Sequence, residues 1–166
     1  MKVEFDFREE HSSLLGRILR PVARIILING EKEVIEHVYV DSGADVSLIP
    51  KSVGDALGFE HSKDGKIIEV KAIGKGSIPV IIKNVDIKIC EKVLKTRIAW
   101  SLIEEVPLIL GRADIFNLFN ICFENNKKTV FKDWILQKIG HIKVGTLVHR
   151  LKKGLRANSG RWVNQD

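Results

Sequence analysis

One stretch constrains this chain more than any other: the apolar segment Val38–Val40 runs directly into the triplet Asp41-Ser42-Gly43. Apolar residues resume within a few positions, and Gly43 allows the backbone to turn sharply between the two apolar segments. Asp41 is therefore expected at the mouth of the turn, where burial or a second acid can shift the pKa of its carboxyl group. An ordinary turn between two strands also explains the triplet, because Asp-Ser/Thr-Gly occurs by chance in roughly one chain of this length in ten.

Two further segments give the triplet a context. About seventy residues after Asp41, the apolar run Val106–Leu110 is closed by Gly111-Arg112. Between the triplet and this run lies a glycine-punctuated stretch that is typical of a hairpin tip, formed by Ile73, Gly74, Lys75 and Gly76. In this order the three segments resemble the retroviral-type aspartic proteases, the retropepsins, and their cellular relatives. The resemblance covers roughly residues 18 to 134.

The resemblance implies both a fold and an activity. The implied fold is all-β, a retropepsin-like closed or partly open barrel with a flap hairpin and one or two short helices, active as a homodimer. The implied activity is that of an aspartic endopeptidase, which hydrolyses peptide bonds in a peptide or protein substrate. Such an enzyme needs no cofactor and no metal.

The hydrophobic pattern of the chain independently predicts many short strands. Val22–Ile28 is rich in β-branched residues, Asn29-Gly30 is a strong hairpin turn, and Glu33–Val40 returns as a strand. Alternating or continuous apolar runs predict further strands at Lys2–Phe7, Ile67–Ile73, Ser77–Lys83, Asn84–Cys90, Val93–Trp100, Val106–Leu110, Asn120–Glu124 and Thr129–Trp134. Eight or more short strands with turn signals between them are typical of an all-β barrel.

Helical signals are few. Lys51–Leu57 follows Pro50 and is predicted as a short helix, and Ile115–Phe119 is predicted as a second one capped by Asp114. His11–Arg20 is less regular and is predicted as a short helix or a loop.

The chain is predicted to consist of three parts. Residues 1–17 are an N-terminal extension or interface strand, residues 18–134 are the protease-like domain, and residues 135–166 are a basic C-terminal tail. The net charge is +6 for the whole chain. The tail accounts for all of it, because a single acid, Asp166, opposes seven basic residues: Lys138, Lys143, Arg150, Lys152, Lys153, Arg156 and Arg161.

Composition limits where the protein is expected to act. No apolar run approaches the roughly 20 residues that a membrane span needs, so no membrane partner is expected. The N-terminus lacks the apolar core of a secretory signal, which predicts an intracellular, cytoplasmic protein. Cys90 and Cys122 are the only cysteines and lack paired metal-type spacing, so both are expected to be reduced and buried.

Aspartic proteolysis needs two carboxylates that share one proton, one of which activates water while the other polarises the scissile carbonyl. This chain contains a single Asp-Ser-Gly triplet, and the other acids in apolar settings, Asp86 and Asp114, lack the glycine turn. Asp41 therefore needs a partner carboxylate from a second copy of the chain, related to the first by a two-fold axis. The sequence predicts an obligate homodimer with Asp41 as the catalytic residue of each copy.

The resemblance assigns supporting roles to residues around Asp41. Ser42, Gly43 and Ala44 support the active site, and the Ser42 hydroxyl is expected to bond across the dimer axis. Asp45 and Arg112 are expected to form a charge pair near the ends of the substrate groove, where Asp45 also meets the substrate backbone. Arg20, in the pair Arg20-Pro21, corresponds to an arginine that reaches the other subunit in the family.

The resemblance also assigns a flap. Its tip is expected to fold over a bound peptide and exclude water, with substrate contacts from Ile73, Gly74, Lys75 and Gly76. Family flaps are usually apolar here, and Lys75 departs from that pattern.

Two other functions are compatible with the sequence. A non-catalytic dimerisation or binding module could keep the fold, although such a module has no need of an acid at Asp41. The basic tail could contact the phosphates of a nucleic acid, but it offers only Trp134 and Trp162 as stacking aromatics. A solvated appendage is therefore the favoured interpretation of the tail.

Overall fold

The computed structural model of the 166-residue chain describes residues 1–61, 65–71 and 76–133. These residues form twelve strands and one helix. The strands are β1 (Lys2–Asp6), β2 (Arg8–Ser12), β3 (Gly16–Arg20), β4 (Val22–Asn29), β5 (Lys32–Val40), β6 (Ser47–Ile49), β7 (Ile67–Lys71), β8 (Ser77–Ile89), β9 (Lys92–Ser101), β10 (Ile109–Leu110), β11 (Phe119–Glu124) and β12 (Lys128–Asp133), and the helix is α1 (Lys51–Ala56). Within this part of the chain, no helix is both long and apolar enough to cross a membrane.

Six of the strands close into a barrel. Their order is β4-β5-β10-β6-β9-β8, and β8 pairs back onto β4 to complete the ring. The pairs β5–β10 and β6–β9 are parallel, and the other four pairs are antiparallel. The all-β barrel predicted from the sequence is confirmed. Because β5 and β10 run in parallel, the loops that follow Val40 and Leu110 leave the barrel at the same end.

Apolar side chains from alternate strand positions fill the barrel. On β4, Ile25 and Leu27 are buried while Arg24 is exposed, as a strand with one face in the core requires. Trp100 on β9 is fully buried and packs against Phe59, with ring centroids 5.4 Å apart. Burial of each large apolar side chain contributes about 1.5–3 kcal/mol, so this interior supplies the main driving force for folding.

A second, three-stranded sheet has the order β1-β12-β11. Phe5 and Phe119 both meet the buried Phe131 edge to face, at centroid distances of 5.8 and 5.4 Å. Glu4 on β1 accepts a hydrogen bond from Lys128 on β12 (2.7 Å), and this contact together with the nearby Lys2 lowers the pKa of Glu4 to about 2. The first strand is thus joined to the last one by both packing and charge. The boundary predicted after residue 17 stays a prediction.

Several strands differ in extent from their predictions. The sequence predicts separate strands at Ser77–Lys83 and Asn84–Cys90, but a single strand, β8, spans both regions. The predicted strand Val106–Leu110 is reduced to Ile109–Leu110, the two residues that lie in register with Tyr39 and Val40 of β5.

Two predictions of local structure are wrong. His11–Arg20 is neither helix nor loop, because most of it pairs with Arg8–Ser12 as the antiparallel hairpin β2–β3. Ile115–Phe119 does not form a helix, since residues 113–118 make turns that lead into β11. Asp114 is in the left-handed region at a φ of 65°, and its carboxylate binds Arg97 at 2.9 Å instead of capping a helix.

The prediction of two buried thiols is wrong for Cys90. This residue lies in the turn between β8 and β9 at a φ of 53°, and it is exposed. Cys122 is half-buried on β11, and both cysteines are free.

Helix α1 packs against the barrel through a glycine. A Cβ atom on Gly54 would lie 2.1 Å from the indole nitrogen of Trp100. That indole cannot retreat easily, because it is buried and its N–H donates to the carbonyl oxygen of Lys51 (3.2 Å).

We expect Gly54→Ala to lower the free energy of unfolding by about 1–3 kcal/mol, the usual cost of overpacking a core. Helix propensity alone predicts the opposite sign, a gain of about 1 kcal/mol. Denaturant unfolding distinguishes the two, and Ala56→Gly at an exposed position of the same helix measures the propensity effect by itself. A stabilised Gly54→Ala variant would contradict the tight helix–barrel contact.

Candidate active site

Asp41 follows the last residue of β5 and is half-buried. Its backbone N–H donates to the carbonyl oxygen of Leu110 on β10 (3.1 Å). The Asp41 carboxylate accepts a hydrogen bond from the N–H of Gly43 (2.8 Å), and the N–H of Ala44 donates to the Asp41 carbonyl oxygen (3.3 Å). The acid loop, residues 41–46, therefore holds the carboxylate by its own backbone and by the neighbouring strand.

A second loop, residues 111–113, lies against the acid loop and is called the support loop here. The N–H of Arg112 donates to the carbonyl oxygen of Ala44 (2.9 Å), and the N–H of Ala113 donates to the carbonyl oxygen of Asp45 (2.8 Å). The buried N–H of Gly111 donates to the hydroxyl oxygen of Ser47 (3.0 Å). These hydrogen bonds fix the two loops to one another.

The close approach of the loops requires glycine at position 111. A Cβ atom there would lie 2.5 Å from the carbonyl carbon of Val46 and 2.9 Å from the backbone nitrogen of Ser47. Both atoms belong to the backbone, so neither can rotate away. The sequence pointed to Gly111 through the family pattern but missed Ser47, whose only signal is a lone hydroxyl within the apolar run Val46–Ile49.

The structure brings Asp45 and Arg112 together at the rim of the site. Their carboxylate and guanidinium groups are in hydrogen-bonding contact. The side chains remain 86% and 56% exposed, respectively, so the pair contributes little to stability. Ser42 and Gly43 are also exposed at this end of the barrel.

The predicted flap is only partly described. Its two arms, β7 and β8, pair antiparallel up to Lys71 opposite Ser77, and Gly76 is exposed just before β8. The other predicted flap residues lie outside the described residues: Ile73, Gly74 and Lys75. Their substrate-binding roles stay predictions.

Arg20 does not join Asp45 and Arg112 within this chain. Its guanidinium lies 3.4 Å from the Glu10 carboxylate and 6.0 Å from the ring centre of Tyr39. Its predicted reach into a second subunit stays a prediction.

Tyr39, the only tyrosine of the chain, lies two residues before Asp41 and was missed by the sequence analysis. Its hydroxyl donates to the Glu10 carboxylate (2.5 Å) and accepts from the Arg8 guanidinium (2.6 Å), which also binds Glu10. The Tyr39 hydrogen bond lowers the pKa of Glu10, with desolvation acting against it. Partial burial, followed by the bond to Glu10, raises the pKa of Tyr39.

Asp86 and Asp114 are the other candidate acids. Both line an open groove of about 570 Å³ that also includes Gly30 in the turn between β4 and β5. Asp41 follows the other end of β5, and the Asp114 carboxylate is bound by Arg97. The Asp114 carboxylate is thus already paired with a guanidinium, and Asp86 lies opposite Ile28, near the turn between β4 and β5. In residues 1–61, 65–71 and 76–133, no group of three or more His, Cys, Asp or Glu residues could hold a metal ion.

Comparison with known solved structures supports the fold. No protein-family model and no curated protein matches the sequence. A retropepsin-like aspartic protease from Rickettsia conorii is 14% identical, with a TM-score of 0.55, over 79% of this chain and 91% of that chain. The EIAV protease in complex with the inhibitor HBY-793 is 25% identical, with a TM-score of 0.42, over 56% of this chain and 82% of that chain. This chain has the retropepsin-like fold.

We expect Ser47→Ala to lower the free energy of unfolding by about 1–3 kcal/mol, because the buried N–H of Gly111 loses its acceptor. Amide hydrogen exchange at Gly111 should accelerate as well. Thr129→Val is the matched control, since the Thr129 hydroxyl is buried without a hydrogen-bond partner among the described residues. If both variants kept wild-type stability, the Ser47–Gly111 bond would not be what joins the loops.

Proposed function

We propose that this protein is an aspartic endopeptidase that acts as a homodimer, with Asp41 of each copy forming the catalytic pair. The observation that carries the proposal is the acid loop. A glycine turn presents a single half-buried carboxylate at the end of a retropepsin-like barrel, and a second loop braces it from behind. One chain supplies one such carboxylate, so the reaction requires two chains.

The chemistry follows from placing two Asp41 side chains across a two-fold axis. Two carboxylates about 3 Å apart cannot both ionise at low cost, so one keeps a proton. The ionised carboxylate accepts a proton from a water molecule while the water oxygen bonds to the scissile carbonyl carbon. The protonated carboxyl group gives its proton to the carbonyl oxygen. The carbon–nitrogen bond then breaks as the carboxyl group that took up the water proton gives it to the leaving nitrogen, while the other carboxylate takes a proton from a hydroxyl group of the tetrahedral intermediate. This step releases the acid and amine products and leaves one proton on the pair again.

The remaining site residues suit the binding of an extended peptide. Asp45 lies four residues after the catalytic acid, and Arg112 holds it at the rim of the site. With its remaining lone pairs the Asp45 carboxylate accepts hydrogen bonds from the backbone N–H groups of a substrate. The paired strands β7 and β8 are the arms of the predicted flap, whose proposed role is to cover the peptide and exclude water.

The direct test of this function is Asp41→Asn. Asparagine has nearly the same shape as aspartate but cannot act as the base or carry the shared proton. We expect the rate of cleavage of a mixed peptide pool to fall at least a hundredfold, in line with the usual contribution of a general acid or base. Unfolding and dimerisation should be unchanged.

Asp55→Asn is the matched control, because Asp55 is an exposed acid on α1 that pairs with Lys51 at 2.5 Å. Its activity should stay within a factor of two of the wild type, roughly the scatter of surface substitutions. Asp41→Asn activity within about tenfold of the wild type would contradict the aspartic mechanism. A folded wild-type dimer that cleaved nothing in the pool would favour the non-catalytic binding module instead.

A further inference from the structure

The hairpin β2–β3 stands apart from the barrel. Its two strands pair only with each other, from Arg8 opposite Arg20 to Ser12 opposite Gly16. An isolated two-stranded hairpin is marginally stable in water, so this one needs support at its ends. The root of the hairpin, where Arg8 lies opposite Arg20, is supported by the rest of the chain, whereas the tip, residues 13–15, is not covered by the described residues.

The root of the hairpin is held to the active-site strand. Tyr39 binds Glu10 and Arg8 at 2.5 and 2.6 Å, and the Arg8 guanidinium stacks 5.0 Å from the Tyr39 ring centre. The backbone N–H of Val40 also donates to the carbonyl oxygen of Pro21, which directly follows β3 (3.0 Å). The hairpin is thus anchored immediately beside Asp41.

The tip of the hairpin is apolar and uncovered by the described residues. Leu14 and Leu15 are 87% and 72% exposed, more than any other large apolar side chain in the described part of the chain. Their backbone N–H groups are fixed by the Ser12 hydroxyl at 3.3 Å, so the turn itself is ordered by hydrogen bonds. The hairpin therefore presents two adjacent leucines on a defined turn.

The distance of the hairpin tip from Asp41 determines which surfaces the tip can contact. Two residues of strand separate Tyr39 from Asp41, about 7 Å, and the tip lies about 13–17 Å from the root of a five-residue hairpin. In the proposed enzyme, the two-fold axis passes beside Asp41. The surface of a second copy therefore lies within the length of the hairpin. The two strands of the hairpin carry charges of both signs, as in the Arg17–Glu9 pair, so only a small net charge opposes an apolar contact at the tip.

We propose that the β2–β3 hairpin is a dimerisation arm whose Leu14–Leu15 tip packs against the second copy of this chain. The proposal rests on the proposed homodimeric function. Because a two-fold interface is isologous, each copy contributes one arm and receives one. The Tyr39 contact sets the direction of the arm relative to the catalytic acid, which links assembly of the dimer to placement of the two carboxylates.

The test compares the dimer dissociation constants of full-length variants by sedimentation over a dilution series. Leu14→Ser/Leu15→Ser should raise the constant at least a hundredfold, because four leucines per dimer lose their apolar contact. Fusing two variant chains into one polypeptide should restore most of the peptidase rate. Tyr39→Phe should raise the constant less, since it loosens the root and leaves the tip intact. Val93→Ser is the control, because it also replaces an exposed apolar side chain (53% exposed, on β9). This substitution should leave the dissociation constant unchanged.

The outcomes separate this proposal from the proposed function. An active wild-type dimer whose dissociation constant is unchanged by the leucine substitutions overturns the arm and leaves the function standing. A raised KM with an unchanged dissociation constant also overturns it, since the tip then contacts substrate. Weakened dimers of a protein that cleaves no peptide support the arm and overturn the function. A wild type that is monomeric at every concentration overturns both.

Discussion

The structure around Asp41 depends on one close contact, the backbone of the acid loop against that of the support loop. The parallel pairing of β5 and β10 brings both loops to the same end of the barrel. Gly111 then allows the backbones to approach to a distance at which any Cβ atom would collide with Val46. Each hydrogen bond across the contact contributes only about 1 kcal/mol, but a buried donor left without its acceptor costs more. The carboxylate is therefore positioned by backbone geometry more than by side-chain packing.

The same contact explains how much the sequence could predict. Asp-Ser-Gly and the later apolar run ending in Gly111 each contain a glycine that the backbone geometry requires. Such a glycine can be recognised in the sequence. The turn at Asn29-Gly30 is another example, since Gly30 adopts a φ of 62° between β4 and β5. The barrel and its main hairpins could be expected from such signals, whereas the pairing of Asp45 with Arg112 was expected from the resemblance to the retropepsins.

Features that depend on distant partners could not be predicted in this way. Leu14 and Leu15 break the alternation expected of a strand, and the hairpin β2–β3 exists because the polar segment Arg8–Ser12 pairs with its second arm. The helix expected after Asp114 is absent because that carboxylate binds Arg97, which comes from β9. The contact of Tyr39 with Glu10 joins residues 29 positions apart, and no local sequence pattern predicts it. Tertiary contacts overrode local propensity at all of these positions.

The central claim is that two copies of Asp41 perform different proton-transfer roles in one site. The most direct measurement uses two chains fused into a single polypeptide, with Asp41→Asn in one half only, so that dilution cannot change the pairing. The account predicts peptidase activity at least a hundredfold below that of the fused wild type, because the one remaining acid has no partner. Activity at half of the fused wild type or more would contradict it, since each chain would then contain a complete site.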